Sequence, residues 1–143
     1  MALINLIYVS SAFEEADTAA LERILQAAAH NNAAHHVTGM LLYAGGTFMQ
    51  VLEGEEADVD AIFERIRRDP RHTDLMVLER CAIPGRSFER WSMGFRRLGR
   101  DQAQSHPGFA PFFEAGFDAA SIGARPGLAL EILQAFGEGA SRG

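Results

Sequence analysis

Val37-Thr38-Gly39-Met40-Leu41-Leu42-Tyr43-Ala44-Gly45-Gly46-Thr47-Phe48-Met49-Gln50-Val51-Leu52-Glu53-Gly54 is the stretch whose pattern decides the fold. Gly45-Gly46 separates two runs rich in aliphatic, aromatic and β-branched residues. Glycine accepts the positive φ that tight hairpin turns demand, so residues 37–43 and 47–53 read as two antiparallel strands. Gly54 ends the second. Phe48, Gln50 and Leu52 share one of its faces, because successive side chains alternate across a strand.

The chain on either side extends this hairpin into a sheet. Residues 3–10 place Ile4, Leu6, Tyr8 and Ser10 on one face and Leu3, Asn5, Ile7 and Val9 on the other, a strand with two largely buried faces. Leu21, Ile24, Leu25 and Ala28 follow the i, i+3, i+4, i+7 spacing of a helix face, with Asp17 as its N-cap. That helix is expected to end near His30–Asn32, since two asparagines disfavour continuation. Val59, Ile62, Phe63 and Ile66 predict a second helix, stopped by Asp69-Pro70. A fourth strand over residues 75–83 is closed by Pro84-Gly85, and a short fifth spans residues 91–96.

The order β-α-β-β-α-β-β is that of an α+β, ferredoxin-like sheet with two helices on one face. The other face needs a cover, or it exposes apolar side chains. Phe109, Phe112, Phe113 and Phe117 fit one helical stripe, and Ala129, Ile132, Leu133 and Phe136 fit another. Residues 1–99 are therefore read as the core. Residues 100–143 are read as a C-terminal helical cap of the same domain.

Composition agrees with one globular domain of 143 residues, 48% hydrophobic and 22% charged. The net charge of −6 argues against a nucleic-acid surface, which needs a basic face. The single cysteine, Cys81, excludes an internal disulfide and fits a reducing compartment. Neither a membrane span nor a signal peptide is read from the sequence, so a cytoplasmic protein is expected.

Several polar residues sit where apolar ones would pack. Gln50 on an alternating strand is costly unless its amide is paired or faces solvent at a sheet edge. The hairpin allows strand three to be central or edge, and leaves both open. Tyr8 reads as a buried aromatic with a bonded hydroxyl. Trp91 and Met93 share a face and read as core. Asn31-Asn32 fits a helix end, yet two amides also suit a ring bearing both carbonyl and N–H groups. Asp69-Pro70-Arg71-His72 reads as a helix stop and polar turn, with Arg71 able to donate to a carbonyl or phosphate. The histidines at 30, 35, 36 and 72 lack metal-ligand spacing, so no metal is expected. Neither a phosphate-binding glycine motif nor a nucleophile–base set can be assembled by spacing.

These residues resemble the BLUF photoreceptors, blue-light sensors that use FAD. The resemblance runs from about Leu3 to Phe95. It is carried by Leu6-Ile7-Tyr8-Val9-Ser10, Asn31-Asn32, residues 37–43, residues 48–54, Arg65-Ile66 with Asp69-Pro70-Arg71-His72, and Arg86-Ser87-Phe88 leading into Trp91-Ser92-Met93. It implies FAD held noncovalently between the two helices, with Ile24 and Ile66 against the ring faces. Asn32 would bond the N3 and C4 carbonyl edge, assisted by Asn31, and Arg71 and His72 would reach the other edge or the nearby chain. Gln50 would contact N5 and the C4 carbonyl, held by Tyr8, with Trp91 and Met93 nearby as relay. Ala28 departs from a serine found in some relatives.

The resemblance also implies a light-driven electron and proton transfer from Tyr8 to the flavin, after which the hydrogen bonds of Gln50 are rearranged. No substrate is turned over, so no enzyme is expected. The output would pass to an unidentified signalling protein, with a homo-oligomer of two or more copies and no nucleic-acid or membrane partner. A flavin oxidoreductase or small-ligand-binding domain is the alternative. An RNA-binding module shares the element order, but the acidic charge and phenylalanine-rich C-terminus oppose it.

Overall fold

The computed structural model describes residues 3–12, 18–44, 47–69, 72–88, 94–97 and 128–137. The elements run β1 (Leu3–Ala12), α1 (Thr18–Ala34), β2 (Thr38–Ala44), β3 (Thr47–Glu55), α2 (Glu56–Arg67), β4 (His72–Ile83), β5 (Gly94–Arg97) and α3 (Leu128–Gly137). The sheet order is β4-β1-β3-β2-β5. β1, β2, β3 and β4 pair antiparallel, and β5 joins β2 in parallel at the far edge. This is the ferredoxin-like arrangement expected from the element order.

β3 is central. It lies between β1 and β2, with Tyr8 and Leu41 on its two sides opposite Gln50. That settles the question left open for Gln50, which is buried and not at an edge. One layer of the core contains Ile4, Leu6, Tyr8, Leu41, Phe48 and Leu52 from the sheet, with Val59 and Ile62 from α2 and partly buried Ile24 of α1. The period of two along the strands and the helical stripes on α1 and α2 meet in this layer. Met40, Leu42, Met49 and Val51 alternate with those strand residues and are also buried. They belong to the opposite face. α3 packs against β2, β3 and β5, with Ile132 and Leu133 fully buried.

Element ends differ from the expectation in instructive ways. α1 continues to Ala34, so Asn31 and Asn32 form part of its last turns and do not stop it. Helix propensity is a weak preference that packing overrides, and the asparagines are followed by two alanines. The Asn32 carbonyl then accepts from the amides of His35 (3.1 Å) and Val37 (2.8 Å), closing the corner into β2. His36 takes φ 54° there, a left-handed turn that histidine tolerates better than bulkier residues.

β3 runs one residue past Gly54 and passes into α2 without a loop. A Cβ on Gly54 would stand 3.3 Å from Val37 Cγ2 and 3.4 Å from Val59 Cγ2, so the glycine permits the close approach of the helix start. β4 begins three residues earlier than the alternation suggested, and its pairing with β1 shifts register twice. β5 begins at Gly94. Residues 89–93, which include Trp91 and Met93, lie outside the described residues, as do Asp17, Arg71 and the phenylalanines at 109–117.

Leu52 is fully buried between the sheet and the helices. Replacing it with alanine is expected to lower the unfolding free energy by about 2–5 kcal/mol, through lost burial and the cavity left behind. Urea titration checks this: the midpoint falls while the slope stays that of the parent.

Candidate functional site

α1 and α2 do not meet along their whole length above the sheet. Between them lies a cleft of about 650 Å³, open mouth included. β1, β2 and β3 form its floor through Tyr8, Leu41, Phe48 and Gln50. Ile24, Ala27, Ala28 and Asn31 come from α1, and Arg65, Ile66 and Asp69 from α2 and its end. The two alanines matter sterically, because larger side chains on that face of α1 would occupy the gap.

Gln50 and Tyr8 face each other directly across β1 and β3, each only 3% exposed. The Tyr8 hydroxyl donates to Gln50 Oε1. Leaving such an amide unpaired in this layer would cost about 1–3 kcal/mol. The tyrosine therefore explains why the glutamine can be buried there. The Tyr8 ring also packs on Phe63 of α2, with centroids 5.7 Å apart. Every buried side-chain nitrogen or oxygen among the described residues has a partner.

The Tyr8 hydroxyl titrates well above the usual tyrosine range. Burial is the main cause, and the negative charge of Asp69 adds to it. Tyr8 is therefore a neutral donor at any ordinary pH.

The structure gathers half of the site residues singled out in the sequence. Tyr8, Gln50, Ile24, Asn31 and Ile66 all border the cleft. Asn32 is buried in the adjacent position on α1 but is not one of the cleft's walls. His72 is the first residue of β4, and its side chain is not described. Arg71, Trp91 and Met93 lie outside the described residues.

Two charged residues were not assigned a site role from sequence. Arg65 and Asp69 border the cleft together. Arg65 lies in the last turn of α2 and Asp69 just past its C-cap, four residues on, and that i, i+4 spacing was the available signal.

The donor set suits a flat ring with apolar faces and polar edges. Ile24 and Ile66 supply apolar walls from the two helices. Asn31, Gln50, Arg65 and Asp69 supply donors and acceptors. A flavin ring fits this chemistry.

Comparison with known proteins agrees. The family model for BLUF, sensors of blue light using FAD, matches residues 3–94. The chain is 36% identical over 86 residues to photoactivated adenylate cyclase subunit beta of Euglena longa, covering 60% of this chain and 10% of that protein. The chain thus spans about a tenth of the length of this curated relative. The photo-activated state of BlsA superposes with a TM-score of 0.79 at 27% identity, covering 99% of this chain and 98% of that one. The dark-state structure of BlrB, a BLUF protein, gives 0.69 at 29% identity, over 86% and 96% of the two chains.

The raised titration of Tyr8 has a sign that can be tested. The folded chain keeps a proton that the unfolded chain releases near the ordinary value of 10.0. The contribution of Tyr8 to stability is thus intact below pH 10 and is lost as pH rises beyond it. Above that pH, unfolding free energies of the parent should fall more steeply than those of Tyr8→Phe, by up to about 1.4 kcal/mol per pH unit. Urea unfolding at a series of alkaline pH values reads the difference.

Proposed function

The chain belongs to the BLUF family, sensors of blue light that use FAD, and from that premise we propose that Tyr8 and Gln50 are its switch. The observation that carries this reading is the buried hydrogen bond from Tyr8 to Gln50 on the floor of the cleft. A primary amide can turn either its donor or its acceptor toward a neighbour. In a layer of low dielectric the two arrangements are distinct states.

Ile24 and Ile66 hold the faces of the ring. Asn31 and Asn32 serve the edge nearest α1. Arg71 and His72 serve the opposite edge, and Arg65 and Asp69 are placed to join them. FAD supplies the absorption of blue light and an acceptor for one electron. Tyr8 is the donor of that electron and passes its hydroxyl proton to Gln50 Oε1, to which it already donates. Gln50 then settles rotated or as its tautomer, with its altered donor aimed into the cleft. Return of both the electron and the proton to Tyr8 closes the cycle, so it consumes no substrate and the domain catalyses no reaction.

Burial does two things for this cycle. It excludes water that would otherwise exchange with the proton in transit, and it keeps Tyr8 from ionising in the dark. Trp91 and Met93 relay the state of Gln50 toward the C-terminal segment. The state is read by a signalling partner, with the chain assembled with copies of itself. The relative from Euglena is named a photoactivated adenylate cyclase, which supports an effector as the kind of partner that reads such a domain. A flavin oxidoreductase is the weaker reading, because Tyr8 and Gln50 fill the floor of the cleft where a second substrate would need room.

Absorption spectra in the dark and after blue light test this. The parent is expected to show a flavin band that shifts slightly to the red, keeps its oxidised shape and reverts in darkness. Tyr8→Phe and Gln50→Leu should each bind FAD and lose the shift. A full shift in Tyr8→Phe would remove Tyr8 as the donor. A flavin that bleaches under light in the parent would favour the oxidoreductase.

A further inference from the structure

Glu53 is a second buried polar group on the strand that carries Gln50, and the photochemistry does not use it. It is three residues from Gln50, so the two side chains point to opposite faces of β3. Its side chain is 1% exposed. Three donors converge on the carboxylate. Oε2 accepts from the Ser87 amide at 2.7 Å, and Oε1 accepts from the Phe88 amide at 2.9 Å and from Thr38 Oγ1 at 3.1 Å.

Arg86 closes the same node from its other side. Its Nη1 donates to the Glu53 carbonyl at 2.8 Å and to Thr38 Oγ1 at 2.9 Å, and its Nη2 donates to the His36 carbonyl at 2.8 Å. The connection after β4 is thereby tied to β3 just past Gln50 and to the corner just past Asn32. It is tied onward as well: Gln134 Nε2 of α3 donates to Ser87 Oγ at 3.4 Å. Ile132 and Leu133 anchor that helix beneath the sheet.

We propose that Glu53 is a positioning residue that couples the flavin strand to α3: its carboxylate holds the Ser87–Phe88 turn, and that turn holds the helix. The inference rests on the switch reading above. β3 is pinned on both sides by β1 and β2. A change in the bonding of Gln50 on one face therefore cannot be absorbed by the strand sliding freely, and it alters the geometry of Glu53 on the other. Buried charge-assisted bonds to backbone amides are directional, so a small displacement of the carboxylate loosens the turn. Coupling of this kind needs a contiguous physical path, which the bonds from Glu53 to Ser87 to Gln134 provide.

Hydrogen–deuterium exchange of the full, FAD-loaded chain, in darkness and under blue light, tests the proposal alongside the flavin spectrum. In the parent, light should raise exchange at residues 87–88 and 128–137. Glu53→Gln keeps the volume but sets an N–H group against a backbone donor. It should retain the red shift, show raised exchange at 87–88 already in darkness, and reduce the light response of α3 by about threefold or more. Should Glu53→Gln fail to fold, Gln134→Ala on the exposed side of α3 carries the comparison, with the red shift retained and the α3 response reduced. A residue with a merely structural role would lower stability without separating the spectral shift from the helix response. An α3 response equal to the parent's in the folded variant overturns the proposal, as does a parent whose α3 ignores light while its flavin shifts. A parent with no spectral shift at all would instead overturn the switch reading, and this inference with it.

Discussion

The Tyr8–Gln50 hydrogen bond is the interaction around which the rest of the structure is arranged. An amide on the middle strand of a five-stranded sheet, beneath two helices, is almost wholly buried. It needs a partner from a neighbouring strand, and register decides which residue can serve. Pairing of β1 with β3 puts Tyr8 directly across from it. A slip of one residue would turn Tyr8 to the opposite face and leave the amide unpaired. Satisfaction of one polar pair thus helps to fix the alignment of the sheet's centre.

The cleft follows from what surrounds that pair. α1 presents Ala27 and Ala28 where bulkier side chains would close the gap, while Ile24 and Ile66 keep apolar walls on the two helices. The charged residues that line the cleft, Arg65 and Asp69, come from the C-terminal end of α2 and just beyond it. Asp69 lies near enough to Tyr8 to resist loss of the phenolic proton. A photoreceptor of this kind needs a donor that is neutral in the dark and an amide with two alternative bonding states. In the proposed switch, burial supplies the first condition by keeping Tyr8 protonated, and the opposed strands supply the second by setting Gln50 against it. The family match over residues 3–94 places this chain among proteins that use FAD for the purpose.

Most of the architecture was legible in the sequence because its periodicities are clean. The Gly45-Gly46 hairpin, the alternation around Leu6 and Tyr8, and the stripe through Val59, Ile62, Phe63 and Ile66 each specify one element. What sequence could not decide was the place of β3, since a hairpin fits the edge as well as the centre. The end of α1 was misjudged by propensity: packing carries the helix through Asn31 and Asn32. Gln50 and Tyr8, each bland in isolation, gain meaning only when pairing brings them together. Arg65 carries no sequence signal of its own because single charges on an amphipathic helix ordinarily face solvent, and Asp69 reads as part of the helix stop. Glu53 was passed over because its partners at 86–88 are more than 30 residues away, on a connection with no periodic signal.

The central claim is that light changes the bonding of Gln50 and leaves the flavin oxidised. Light-minus-dark infrared difference spectroscopy, on the FAD-loaded chain and on Gln50→Leu, addresses it most directly. In the parent, the stretching band of the flavin C4 carbonyl should move to lower frequency under blue light and return in darkness, as a stronger hydrogen bond from Gln50 requires. In Gln50→Leu that movement should be absent. A carbonyl band that stays in place in the parent, or that moves equally without Gln50, would contradict the account.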